Sequence, residues 1–85
     1  MSEESRDLGK IGFDSSGEPI IREPIFVKLS SYRNAKFIDI RKYYEDNGEW
    51  RPTKKGITLN SEQLDELLKI FNVNKNEIDK WLSEE

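Results

Sequence analysis

The side chains that could do chemistry in this chain are concentrated in one stretch, Lys36 to Asn60, KFIDIRKYYEDNGEWRPTKKGITLN. They are cations interleaved with aromatic rings. Cations neutralise phosphates and flat rings stack under bases, and the two together hold single-stranded nucleic acid. Tyr44, with Tyr32 just upstream, would supply platforms, and Arg33, Lys36, Arg41, Lys54 and Lys55 would supply charge. Acid–base and nucleophilic chemistry has little to work with. The chain has no histidine and no cysteine, so the common nucleophile–base pairs are absent. No Gly-rich phosphate loop appears. Asp39 lacks an acid–base partner, and a structural hydrogen bond is the expectation for it. Neither an enzyme nor a bound metal or cofactor is expected.

A net charge of −3 argues at first against a polyanionic ligand. Its distribution argues the other way. Residues 1–21 carry two basic and five acidic groups, residues 22–55 nine and five, and residues 56–85 three and seven. The middle block is therefore +4 between acidic ends, and binding responds to the local field. The alternative for such an excess is a solvated strand surface.

These groups must be positioned by a small domain. Eighty-five residues with 34% apolar content would make a marginal core. Disulfides and a zinc staple are unavailable to a chain without Cys or His, which points to oligomerisation for further burial. No run is apolar enough for a membrane span or a signal peptide, so an intracellular protein is expected.

The strand signals are local. Ile25–Tyr32 alternates. Phe37–Tyr44 is rich in β-branched and aromatic residues, with Ile38, Ile40, Lys42 and Tyr44 on one face and Phe37, Asp39, Arg41 and Tyr43 on the other. Asn47-Gly48 is a hairpin turn. Trp50-Arg51 restarts the chain, Pro52 limits that arm to a short or edge strand, Lys54-Lys55-Gly56 reads as a basic turn, and Ile57–Leu59 as a short strand. Asn60 and Gln63 have capping-box spacing. Leu64, Leu67, Leu68 and Phe71 form an apolar stripe able to cover one sheet face. Asn74 and Glu77 repeat the capping spacing, which leaves open one helix or two. Upstream, residues 1–20 read as a flexible acidic tail and residues 21–85 as the domain, with turn chemistry but no regular element over Ile11–Pro24. The order is β-β-β-β-α, an α+β fold.

The segment FIDIRKYYEDNGEWRPTKKGITLNSEQLDEL resembles the C-terminal domain of the positive cofactor four family of transcriptional coactivators. The marks are the Ile-Asp-Ile-Arg strand with its aromatic pair, the acidic-Gly-Glu turn, the basic Lys-Gly-Ile turn and the Leu-Asn-x-Glu-Gln helix start, over roughly residues 25–71. The resemblance implies a curved four-stranded antiparallel sheet and a C-terminal α-helix, a homodimer joined through the helices, and single-stranded DNA bound with little sequence preference. It implies stacking by Tyr32 and Tyr44 and phosphate contacts by Arg33, Arg41, Arg51, Lys54 and Lys55. RNA, RNA polymerase and transcription factors are further implied partners, and the nucleus the place in a eukaryote. Ala35 stands where the family has a lysine, with Lys36 adjacent. The family's serine- and lysine-rich regulatory tail is not seen in residues 1–20, which are acidic.

Arg41 and Tyr44 are three apart, so a regular strand puts them on opposite faces unless a bulge or the strand end realigns them. The acidic ends also suit a protein-interaction module of the transcription machinery that does not touch nucleic acid.

Overall fold

The computed structural model describes residues 4–84. In chain order these form β1 (Ser5–Ile11), β2 (Ile25–Tyr32), β3 (Ala35–Asp46), β4 (Glu49–Leu59) and α1 (Ser61–Ser83). The four strands make one open antiparallel sheet in the order β1-β2-β3-β4. The α+β class and the strand count are as expected, but the strands are not all the expected ones. The segment read as a flexible tail supplies β1, which pairs with β2 from Ser5↔Ser30 to Ile11↔Ile25. Backbone pairing along β2 holds a sequence too polar to signal a strand by itself. The two short strands expected around Pro52 are one strand, β4.

Both central hairpins close through two residues with positive φ. Asn47 (φ 52°) and Gly48 (φ 83°) join β3 to β4 as their types predict. Arg33 (φ 51°) and Asn34 (φ 68°) join β2 to β3, a turn that Arg-Asn does not announce. β4 lies at the sheet edge, where Pro52 sits opposite Tyr43 without breaking a central ladder. The register between β3 and β4 shifts between Arg41 and Tyr43. Residues 53–55 bulge out there, pinned by Thr53, whose hydroxyl donates to the Lys42 carbonyl (2.8 Å) and accepts from Lys55 N–H (3.1 Å).

Alternation and pairing give the sheet two faces. One carries Phe26, Lys28, Ser30 and Tyr32 of β2 and Phe37, Asp39, Arg41 and Tyr43 of β3; this is the aromatic face. The other carries Val27, Leu29, Ile38, Ile40, Ile57 and Leu59; this is the aliphatic face. The best-buried cluster lies at one end of the aromatic face. Pro24 is fully buried and Phe26 is 6% exposed. Phe26 stacks on Tyr43, and Phe13 and Trp50 close around it at ring-centroid distances of 5.6–6.0 Å. Phe13 arrives on the loop of residues 12–24. That loop is tied by the Asp14 carboxylate, which accepts from the N–H groups of Ser16 and Glu18 and from the Ser16 hydroxyl.

α1 starts at a complete Asn60/Gln63 capping box and runs unbroken. Asn74 does not cap a second helix; its amide donates to the Ile70 carbonyl one turn back (2.8 Å). The expectation that the leucine stripe would cover a sheet face is not met. The helix meets the sheet at β4, none of its residues is buried, and Leu68, Phe71, Trp81 and Leu82 are exposed. Asn60 alone separates β4 from α1, and one residue is too short a link for the chain to fold back over the sheet.

Candidate nucleic-acid interface

On the aromatic face, beyond the buried cluster, the sheet carries an open polar surface. Arg41 is its best-fixed cation. Its Nε donates to Asp39 (3.1 Å) and its Nη1 to the Thr53 carbonyl on the bulge (2.9 Å). Asp39 thus serves the structural hydrogen bond expected of it. Gly56 lies directly across from Arg41, where an added Cβ would meet Arg41 Cβ and the Ile40 carbonyl oxygen at 2.8 Å. The fork of Arg41 keeps donors beyond the two in use, so it can still receive an anion.

Tyr32 ends β2 on this same face, half exposed. Arg33, in the turn, places its guanidinium 5.1 Å from the Tyr32 ring centroid. That pair is an exposed ring with a cation beside it, the combination that a stacked base and its phosphate need. Tyr32, Arg33 and Arg41 are therefore brought to one side of the chain.

Lys36, Tyr44 and Arg51 are not. Lys36 pairs with Ser31 on the opposite side of the strand and borders an aliphatic recess of about 400 Å³ with Leu29, Ile38, Leu59 and Leu64. Tyr44 pairs with Arg51, also on the opposite face, and Arg51 is bound to Asp46 (2.9 Å). The irregularity that could have realigned Arg41 and Tyr44 lies in β4, so β3 keeps its alternation and the two residues face apart. Tyr44 instead borders a recess with Pro19, Ile21, Arg22 and Trp50. Lys54 is exposed on the bulge. Lys55 holds Glu23 (3.0 Å), and that hydrogen bond lowers the Glu23 pKa against the opposing effect of burial. One concave surface carrying every candidate is thus not found in the chain.

Two cations of the aromatic face were not singled out from sequence. Lys28 Nζ sits 4.6 Å from the Tyr43 ring centroid, and Lys10 Nζ 5.2 Å from that of Phe13. Lys28 shares its face with Phe26 and Ser30 by simple alternation, a signal that was available. Lys10 lay in the presumed tail. Among the described residues no cluster of three His, Cys, Asp or Glu side chains could hold a metal, and no helix is long and apolar enough to cross a membrane.

Comparison with known proteins gives a consistent result. Residues 21–70 match the family described as Transcriptional Coactivator p15 (PC4). The chain is similar to the RNA polymerase II transcriptional coactivator SUB1 of Saccharomyces cerevisiae, 51% identical over 45 residues, which is 51% of this chain and 15% of the relative. It is similar to a putative RNA polymerase II transcriptional coactivator of Neurospora crassa, 41% identical over 53% of this chain and 26% of the relative. It is also similar to an RNA polymerase II transcriptional coactivator of Drosophila melanogaster, 39% identical over 52% of this chain and 40% of the relative. The matched stretch is thus less than half the length of each of these relatives. No solved structure matches the chain significantly.

Proposed function

The chain belongs to the Transcriptional Coactivator p15 (PC4) family, and on that premise we propose that it binds single-stranded DNA without sequence preference, as a homodimer, in support of transcription. The observation that carries the reading is the exposed Tyr32 ring with the Arg33 guanidinium against it, on the same uncovered face as the anchored Arg41. Tyr32 would stack a base, a contact worth about 1–3 kcal/mol. Arg33 beside it and Arg41, held between Asp39 and the Thr53 carbonyl, would take the backbone. Lys36, Tyr44, Arg51, Lys54 and Lys55 form a second set, which a strand would reach only on leaving this face.

The homodimer has its own support. The aliphatic face and the apolar side of α1 are left open in one protomer, with Ile57, Leu68, Phe71 and Trp81 exposed. A second copy could cover both through its helix. In a eukaryotic cell this reading implies the nucleus, and RNA polymerase or transcription factors as further partners.

A second reading, a protein-interaction module without nucleic-acid contact, is favoured by the same exposed helix and by the acidic C-terminal block. Titration of labelled oligo-dT separates the two. The first reading expects binding at micromolar protein that weakens as salt rises, and loss of it in an Arg41→Ala, Tyr32→Ala double variant. No binding at low salt would leave only the second.

A further inference from the structure

A recess of about 360 Å³ opens on the aromatic face between Lys28, Asp39, Arg41 and Tyr43, with Ser5 and Ser30 at its rim. Its volume is in the range of ligand sites. Its two cations are held differently. Arg41 is bound to Asp39, and both side chains are about four-fifths covered. Lys28 is equally covered, but its partner is Asp7 of β1, whose side chain is 67% exposed. The Lys28 Nζ–Asp7 Oδ1 distance is 3.5 Å, longer than a charge-assisted hydrogen bond. The Lys28 ammonium meanwhile lies against the stacked Phe26–Tyr43 pair, 5.7 Å from the Phe26 ring centroid and 4.6 Å from that of Tyr43. A pre-positioned, largely dehydrated ammonium held by a loose, hydrated carboxylate can exchange that carboxylate for a better anion at little ordering cost.

We propose that this recess seats a phosphate group of the single strand, with Lys28 as its inner cation beside Arg41, and that Asp7 occupies Lys28 until the phosphate displaces it. The inference rests on the nucleic-acid reading and extends it to two residues outside every candidate set above. Asp7 also lies outside the family match, which begins at residue 21. β1 therefore brings a built-in competitor to the binding face.

The test is oligo-dT affinity at several salt concentrations for the full chain and for Asp7→Asn, Lys28→Gln, Lys28→Arg and the Asp7→Asn, Lys28→Gln pair, with circular dichroism to confirm folding. Asp7→Asn should tighten binding about two- to five-fold, the worth of an exposed ion pair. Lys28→Gln should weaken it at least about three-fold and reduce the salt slope by about 0.7, one single-strand phosphate. Lys28→Arg should retain binding, and the gain from Asp7→Asn should vanish in the pair. Variants that bind like the parent would overturn the seat while the strand-binding reading stands. A parent that does not bind oligo-dT would overturn both. In a parallel titration, inorganic phosphate that shifts the Lys28 side-chain resonances while oligo-dT does not would assign the recess to free phosphate and overturn the proposal.

Discussion

Phe26 and Tyr43 stack face to face across β2 and β3, ring centroids 4.4 Å apart and planes 17° from parallel. Tyr43 therefore packs, and the tyrosine beside it in sequence, Tyr44, faces the other way. The stack and its cap of Phe13 and Trp50 hold the loop of residues 12–24 to the sheet. Phe26→Ala should cost about 3–5 kcal/mol of stability, read from urea unfolding at fixed protein concentration. A loss below 1 kcal/mol would mean that this cluster is not the core.

Gly56 faces Arg41 so closely that a methyl group there would meet backbone oxygen. Gly56→Ala should destabilise the sheet and move Arg41, so oligo-dT affinity should fall along with thermal stability. Unchanged affinity in a folded Gly56→Ala variant would show that the position of Arg41 does not matter to binding.

The Asp14 carboxyl is held below its ordinary pKa, chiefly by the Ser16 hydroxyl and next by the Glu18 backbone N–H. A depressed carboxyl contributes stability that is complete above its unfolded pKa of about 3.9 and is lost as pH falls through the lower folded value. Acidification below about pH 4 should therefore loosen the loop and change Trp50 fluorescence, measured with Trp81 replaced by Phe. Asp14→Asn should remove that transition, and a transition unchanged by the substitution would assign it to other groups.

The exposed apolar side of α1 predicts a dimer in solution. Light scattering at tens of micromolar should give twice the chain mass. A Leu68→Glu, Phe71→Glu variant should give the monomer mass, with lower stability because the partner's burial is lost. A monomeric parent would contradict this.

The sequence carried the fold where pattern and turn chemistry agree. Ile25–Tyr32, the core of β3, Asn47-Gly48 and the Asn60/Gln63 cap were all legible, because each is decided by neighbours within a few residues. β1 was not, since Ser5–Ile11 is a strand only through its pairing with β2. The stance of α1 was not either, since its stripe is equally good for a sheet and for a second copy. The site was legible in part. Residue types pointed to Tyr32, Arg33 and Arg41, while the unbroken alternation of β3, with the irregularity falling in β4, leaves Tyr44 and its partner Arg51 on the other face. The face of Lys28 was legible by alternation, but its neighbours Asp7 and Tyr43 come from the flanking strands and were not.

The central claim is that the strand lies on the aromatic face. Side-chain and amide NMR shifts on adding oligo-dT test it most directly. Tyr32 ring, Arg33 and Arg41 resonances should move in proportion to bound strand, while Leu29, Ile38 and Ile57 of the aliphatic face stay in place. Shifts confined to the aliphatic face and α1, or none at saturating oligonucleotide, would contradict it.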